Sequence, residues 1–450
     1  MSTEITSEVS WMEPFFRFFR SASVKLIVIA VLVLVLLIPL AMVEGLIEER
    51  RASRVFAESA VQDMWGGGQD LVGPILTVPY RYRTRDSKGN VETHIGASSF
   101  LPAELHVSGD VKPEVRYRGI FPVPLYTASL KLGGEFRQPD FSEWKIANED
   151  VLWEDAIVSV GITGLPGIEK AVSLSWNQGA APFKPGSGRT TALVTGIHAR
   201  VGGLKEALPN RTHTFEFALD LNGSRHFTFA PVGEETTAAL KSSWSSPSFV
   251  GSFLPDTRRV DESGFEANWR VIYLARPYPQ QWKDGEVVAQ TLAQSNAGVQ
   301  LFFPVDAYVN ATRAAKFGVL FLFLTFGAYF LFEVTNRLRI HPIQYLLIGF
   351  ALCLFYVLLL SFSEHLRFDV SYALSTAGTI GLITAYSASV LGAGRSVVGM
   401  TTLLVGLYAY LYVLLQLEDY ALLLGALGLF VVLAAVMFWT RRLDWYGLHK

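Results

Sequence analysis

Apolar positions in this chain gather into one run near the N-terminus and five more in the last third. The first run, residues 26–43, holds 18 residues without a charge. The later runs cover residues 314–332, 343–362, 373–391, 397–415 and 420–439. Each approaches the ~20 residues that a helix rising ~1.5 Å per residue needs to cross ~30 Å of hydrocarbon. The pattern therefore predicts six spans. The last five are separated by short links, which force antiparallel neighbours and a compact bundle.

Between residues 44 and 313 the pattern changes. The first helix is expected to continue beyond the apolar run, through Val55 and Val61, until Gly66-Gly67-Gly68 stops it. Period-two alternation follows. Phe215, Phe217, Leu219 and Leu221 alternate with polar residues, Asn222-Gly223 reads as a hairpin turn, and Phe227 and Phe229 resume. Phe265, Ala267, Trp269, Val271 and Tyr273 form another such strand, and Ser87 to Asn90 separates two more. The expected fold class is a membrane α-helical protein of six spans carrying a large, mainly antiparallel, sandwich-like β domain.

Basic residues fix the direction of the spans. Arg17, Arg20 and Lys25 precede the first. Arg337, Arg339, Arg395, Arg441, Arg442 and Lys450 all fall on the same side if there are six crossings. The opposite short loops hold Arg367 among Glu364, Asp369, Glu418 and Asp419. Arg50, Arg51 and Arg54 run against this trend, but acidic residues surround them. The expected organisation is a cytoplasmic or interfacial segment (1–23), an anchor (24–43), a periplasmic β-rich domain (44–313), a five-helix bundle (314–439) and a cytoplasmic tail (440–450). The first span reads as a retained anchor, because it exits into Glu44, Glu48 and Glu49 instead of a small-residue cleavage site. The aromatic and basic residues before it, Trp11 to Arg20, suit a helix lying in the headgroup layer.

Composition narrows the chemistry. Half of the 450 residues are hydrophobic, and the formal net charge of −2 gives no basic surface for nucleic acid. The one cysteine, Cys353, lies in an apolar run, so neither an intramolecular disulfide nor a multi-cysteine metal site is possible. Phosphate-loop, zinc-protease and nucleophile-elbow motifs are absent, and His198, His213 and His226 are irregularly spaced. No cofactor or metal is expected. The third to sixth apolar runs contain no Asp, Glu, Lys or Arg, which ion-coupled transporters usually carry.

Two features stand out. In the fourth run, Ala373, Ala377, Gly381, Ala385 and Ser389 recur at every fourth residue, and 13 of the 20 residues from 371 to 390 are Ala, Gly, Ser or Thr. Small residues at this spacing let helices approach closely, so this stripe is expected to be the packed centre of the bundle. Its hydroxyls, including Ser375, Thr379 and Ser387, offer an alternative as the lining of a route. The second feature is Ser363-Glu364-His365 at the outer end of the third run. Together with Asp306, which precedes the second run, it is the expected binding site where domain and bundle join. His341-Pro342 reads as a helix start.

Several blocks resemble the bacterial inner-membrane protein CreD family, also described as cell envelope integrity or colicin-tolerance proteins. They are residues 69–80, Arg116 to Phe121, Pro247 to Pro255, Gly298 to Tyr308, His341 to Gly349 and Leu360 to His365. The resemblance spans nearly the whole chain in order. It implies an inner-membrane protein whose expression affects envelope integrity, and it transfers no catalytic residue. The resulting expectation is a non-enzymatic envelope protein whose partners are the bilayer and periplasmic, lipid or cell-wall components. The alternatives are a transporter or lipid-handling protein using the bundle, and a cell-wall or lipid-modifying enzyme, which would show a deep outer cleft with two convergent carboxylates or Glu364 and His365 within hydrogen-bond reach.

Overall fold

The computed structural model describes residues 22–85, 90–205, 211–283, 285–287, 289–301, 303, 307–335, 340–391, 394–417 and 420–441. Asp306, the interfacial segment up to residue 21 and the tail from residue 442 lie outside the described residues. The chain divides into two units, Met1–Ser53 with Val305–Lys450, and Arg54–Pro304.

The first helix, α1 (Ala22–Trp65), runs 44 residues without a break and so belongs to both units. It ends where the glycines require: Gly66 and Gly67 have φ of 116° and 69°, and both donate backbone N–H bonds to Gln62 O at 2.9 and 2.8 Å. A side chain would strain either φ, and the two bonds close the orphan carbonyl of the last turn. A short helix, α2 (Ala289–Ala293), lies in the second unit. The remaining helices are α3 (Ala307–Lys316), α4 (Gly318–Thr335), α5 (Pro342–Ser363), α6 (Phe368–Leu391), α7 (Arg395–Gln416) and α8 (Ala421–Thr440).

Among the described residues four helices are long and apolar enough to cross a bilayer: Val24–Trp65, Gly318–Thr335, Pro342–Ser363 and Arg395–Gln416; Leu423–Phe438 is a shorter apolar stretch. The second span begins at Gly318 instead of residue 314, because the helix breaks after Lys316. Gly318 is packed so closely on Leu40 of α1 that a Cβ there would collide with its methyls, and Gly349 of α5 meets Leu36 in the same way. Aromatic rings fill the centre, with Phe355 edge-on to Tyr408 and Tyr372 at centroid distances of 4.7 and 5.7 Å.

The second unit holds a nine-stranded and an eight-stranded sheet. Antiparallel pairings dominate, but the sheets are mixed. Gln69 to Leu71 pair in parallel with Phe227 to Phe229, and Glu104 to Val111 in parallel with Glu235 to Ser242. Residues from both sheets enter one apolar core, where Phe229 of one sheet meets Trp269 of the other edge-on at 5.7 Å. The predicted strand at Phe265 is present (Gly264–Ile272), with Phe265, Ala267, Trp269 and Val271 buried on one side, but Tyr273, expected to close it, instead begins a 3-10 turn (Tyr273–Ala275) and is exposed.

The predicted turn at Asn222-Gly223 is corrected. Both residues stay in the strand Thr212–Ser224, opposite Thr127 and Tyr126. Gly223 lies directly against the Tyr126 ring, which leaves no room for a side chain. The chain turns later, at Arg225 with φ 60°, and His226–Phe229 crosses to the other sheet. The glycine serves a close approach and not a turn. The buried Gln69 amide fastens this region, its Nε2 lying 3.0, 3.1 and 2.8 Å from the carbonyl oxygens of Gly66, Gly164 and Asn222.

Candidate functional site

Helix α5 carries the predicted site at its far end and starts as the sequence suggested. His341 is its N-cap, Pro342 follows, His341 Nδ1 accepts from Ile343 N, and Gln344 Oε1 accepts from His341 N at 2.8 Å. At the other end Glu364 accepts a hydrogen bond from the Tyr308 hydroxyl of α3 at 3.1 Å, and Arg50 Nε of α1 lies 3.8 Å away. The Glu364 side chain keeps only 10% of its exposure, while Arg50 keeps 48%. The neighbours predicted alongside it are not gathered in. Ser363 donates back to Leu360 O of its own helix at 2.9 Å, and His365 is exposed. Among the described residues Glu364 makes no bond to His365, one of the two arrangements that the enzyme alternative offered.

A second carboxylate, which sequence reasoning passed over, lies at the end of α4. Glu333 is 3% exposed and takes three donors: Lys25 Nζ of α1, Ile340 N at 3.0 Å and the Tyr345 hydroxyl at 3.0 Å. An ionised carboxylate withdrawn from water needs a countercharge and several donors, and all are supplied. One signal was available. Lys25 opens one apolar run and Glu333 closes another, so two lone charges of opposite sign flank spans that pack together.

Helix α6 presents two contrasting faces. Ser371, Ser375, Thr379 and Ser387 are buried. The stripe expected to be the packed centre, Ala373, Ala377, Gly381, Ala385 and Ser389, is exposed, so the packing within this chain is made by the opposite side. The two columns are two residues out of phase, which is ~200° around a helix. Two of these hydroxyls, Ser371 and Ser387, find nearby acceptors, which offsets the cost of burying them. Ser371 Oγ donates to Arg367 O at 3.0 Å, Ser387 Oγ to Ile383 O at 2.5 Å, and Ser387 also meets the Tyr329 hydroxyl. Thr325 of α4 and Ser375 have buried hydroxyls without a partner among the described residues.

The β unit has its own polar clusters. Asp70 accepts from Thr228 Oγ1 at 2.6 Å and lies 3.4 Å from His226 Nε2. The His226 hydrogen bond is the chief reason its carboxyl sits below the usual range, with burial opposing. His213 is buried against the Trp176 ring, between Gln138 Oε1 at 2.9 Å and Asn177 Nδ2 at 3.3 Å. Burial first, and Arg211 second, push its pKa down. His198 bonds Gly186 O, far from these two in its contacts. Among the described residues no three His, Cys, Asp or Glu side chains are grouped as a metal would need.

Comparison with known proteins adds to this geometry. The family model described as inner membrane protein CreD matches residues 21–446. The inner membrane protein CreD of Escherichia coli (strain K12) is 34% identical over 425 residues, which is 92% of this chain and 92% of that protein.

Proposed function

The chain belongs to the inner membrane protein CreD family, and on that premise we propose that it supports envelope integrity by binding or sensing an envelope component with its β unit. In this reading residues 44–313 form a sandwich-like periplasmic domain, six helices cross the membrane, and both termini are cytoplasmic. No catalytic step is assigned. Glu364, held by Tyr308 and Arg50 within the helical unit, is the residue on which this role is taken to depend.

One observation carries the reading. Lys25 at the start of α1 pairs with Glu333 at the end of α4, whereas Arg50 and Tyr308 both approach Glu364. Residues 25 and 50 of one helix are separated by about 38 Å at ~1.5 Å per residue, more than the ~30 Å hydrocarbon thickness. The two carboxylates therefore mark opposite membrane surfaces. The chain leaves and re-enters the helical unit beside Arg50 and Tyr308, so both strands of that exit are tied to Glu364. The basic residues collected on the other side support a cytoplasmic assignment for it.

Two measurements test this. In a chain whose Cys353 is replaced by alanine, Val194→Cys, at a position 84% exposed, is expected to react with a membrane-impermeant maleimide in intact spheroplasts. Labelling only after lysis refutes the orientation. Cells lacking the protein are expected to die at lower doses of envelope-directed toxin or detergent, to be rescued by the full chain, and to be rescued poorly by Glu364→Gln at equal membrane abundance. Full rescue by Glu364→Gln removes Glu364 from the mechanism.

The buried hydroxyls of Thr325 and Ser375, without a partner among the described residues, favour one second reading, a polar route through the bundle for a lipid or small solute. It predicts solute or lipid movement in proteoliposomes that Ser375→Val abolishes.

A further inference from the structure

The helical unit contains a groove of about 800 Å³ between α1, α5 and α6. Pro39, Gly45 and Glu49 line it from α1, Phe350 and Leu354 from α5, and Leu382 from α6. Its volume falls within the ~300–1,000 Å³ typical of small-molecule sites. Residues 39 to 49 span about 15 Å along the helix at ~1.5 Å per residue, enough for a stretch of acyl chain. At Gly45 no heavy atom lies within 4 Å of where a Cβ would be, so the glycine keeps this wall open.

Apolar walls alone do not select a lipid, because bilayer chains are as apolar as leucine and gain nothing by moving from one to the other. Selection must come from shape and from the end of the groove. There the lining has a single charge, Glu49, which is exposed. Its neighbours are committed elsewhere: Glu48 lies 3.8 Å from Arg51, and Arg50 turns to Glu364. Among the described residues Glu49 has no ion pair. A carboxylate at the polar end of an acyl-sized groove calls for a primary ammonium, which can donate hydrogen bonds to it. An anionic headgroup would be repelled, and a quaternary one could not donate. The geometry points to a site for one phospholipid of the ethanolamine class, with a chain along Gly45 and its ammonium on Glu49.

The test uses the full chain in nanodiscs, in three preparations carrying a photoactivatable acyl chain on phosphatidylethanolamine, phosphatidylglycerol or phosphatidylcholine. Peptides covering residues 42–49 and 347–357 are expected to be labelled several-fold more by the ethanolamine lipid. Glu49→Gln should abolish that preference while labelling continues. Gly45→Phe, which fills open space, should suppress labelling by all three lipids. Leu427→Phe on the exposed face of α8 should change nothing. Labelling that follows bulk lipid composition, persists in Gly45→Phe, or keeps its preference in Glu49→Gln overturns the proposal.

Discussion

Glu333 and Glu364 are the same residue type at opposite ends of the helical unit, and they are held in different ways. Glu333 is sealed from water and saturated by an ammonium, a hydroxyl and a backbone N–H. Glu364 has one hydroxyl at 3.1 Å and an arginine at 3.8 Å that remains half in solvent. Removing a partner from a sealed pair strands a buried charge, whereas a solvent-facing ion pair contributes little. The first arrangement is a lock among α1, α4 and α5. The second is a tie that can be loosened at small cost.

The largest expected effect breaks the lock. Lys25→Ala should destabilise the full chain by about 3 kcal/mol or more, since it leaves the Glu333 carboxylate without its countercharge. Thermal unfolding in detergent micelles measures this, and replacing Glu333 by glutamine in the same chain should recover much of the loss. Equal destabilisation by the single and double variants would show that no charge is stranded. Next come the two faces of α6. Thr379→Leu overfills the buried side and should cost about 1–3 kcal/mol, while Ala377→Leu on the exposed side should stay within ~0.5 kcal/mol of the parent. A reversed order would return the small-residue stripe to the packing role expected of it. Tyr308→Phe at the tie should cost only about 1 kcal/mol, one hydrogen bond, and so fall well below Lys25→Ala.

What could be read in the sequence follows the range of the interactions involved. The length of α1 was legible because Gly66 and Gly67 act through their own φ angles, and the start of α5 because His341, Pro342 and Gln344 are adjacent. The Gly264–Ile272 strand was legible because one sheet face is buried. Asn222-Gly223 misled because the decisive contact is the Tyr126 ring on a neighbouring strand. Glu333 was missed for the same reason: its countercharge is 308 residues away. The faces of α6 were misassigned because in lipid an outward face is also free of charge. Spacing alone then cannot tell a packed small-residue stripe from a lipid-facing one. At the candidate site Glu364 stood out by type, but Tyr308 and Arg50 come from other helices.

His213 provides the smallest and most selective effect. Glu333 is a buried carboxylate with a lysine beside it; His213 is a buried imidazole whose pKa is lowered by burial and then by Arg211. Its folded pKa lies below the ~6.5 of an unfolded histidine, so the unfolded chain binds more protons as pH falls past that value. Stability from this site is therefore complete above about pH 6.5 and is lost as pH falls toward the folded pKa. His213→Gln keeps a side-chain amide between Gln138 and Asn177 and should remove this part of the slope. The melting temperature of the β unit within the full chain, followed by its tryptophan signal from pH 7.5 to 5.5, should fall less steeply in the variant. Asp70 does not interfere, because its carboxyl titrates below the usual range and its contribution is lost only at still lower pH. If the parent and His213→Gln curves stay parallel across that interval, His213 is not the group that carries the proton, and the contrast with Glu333 loses its electrostatic basis.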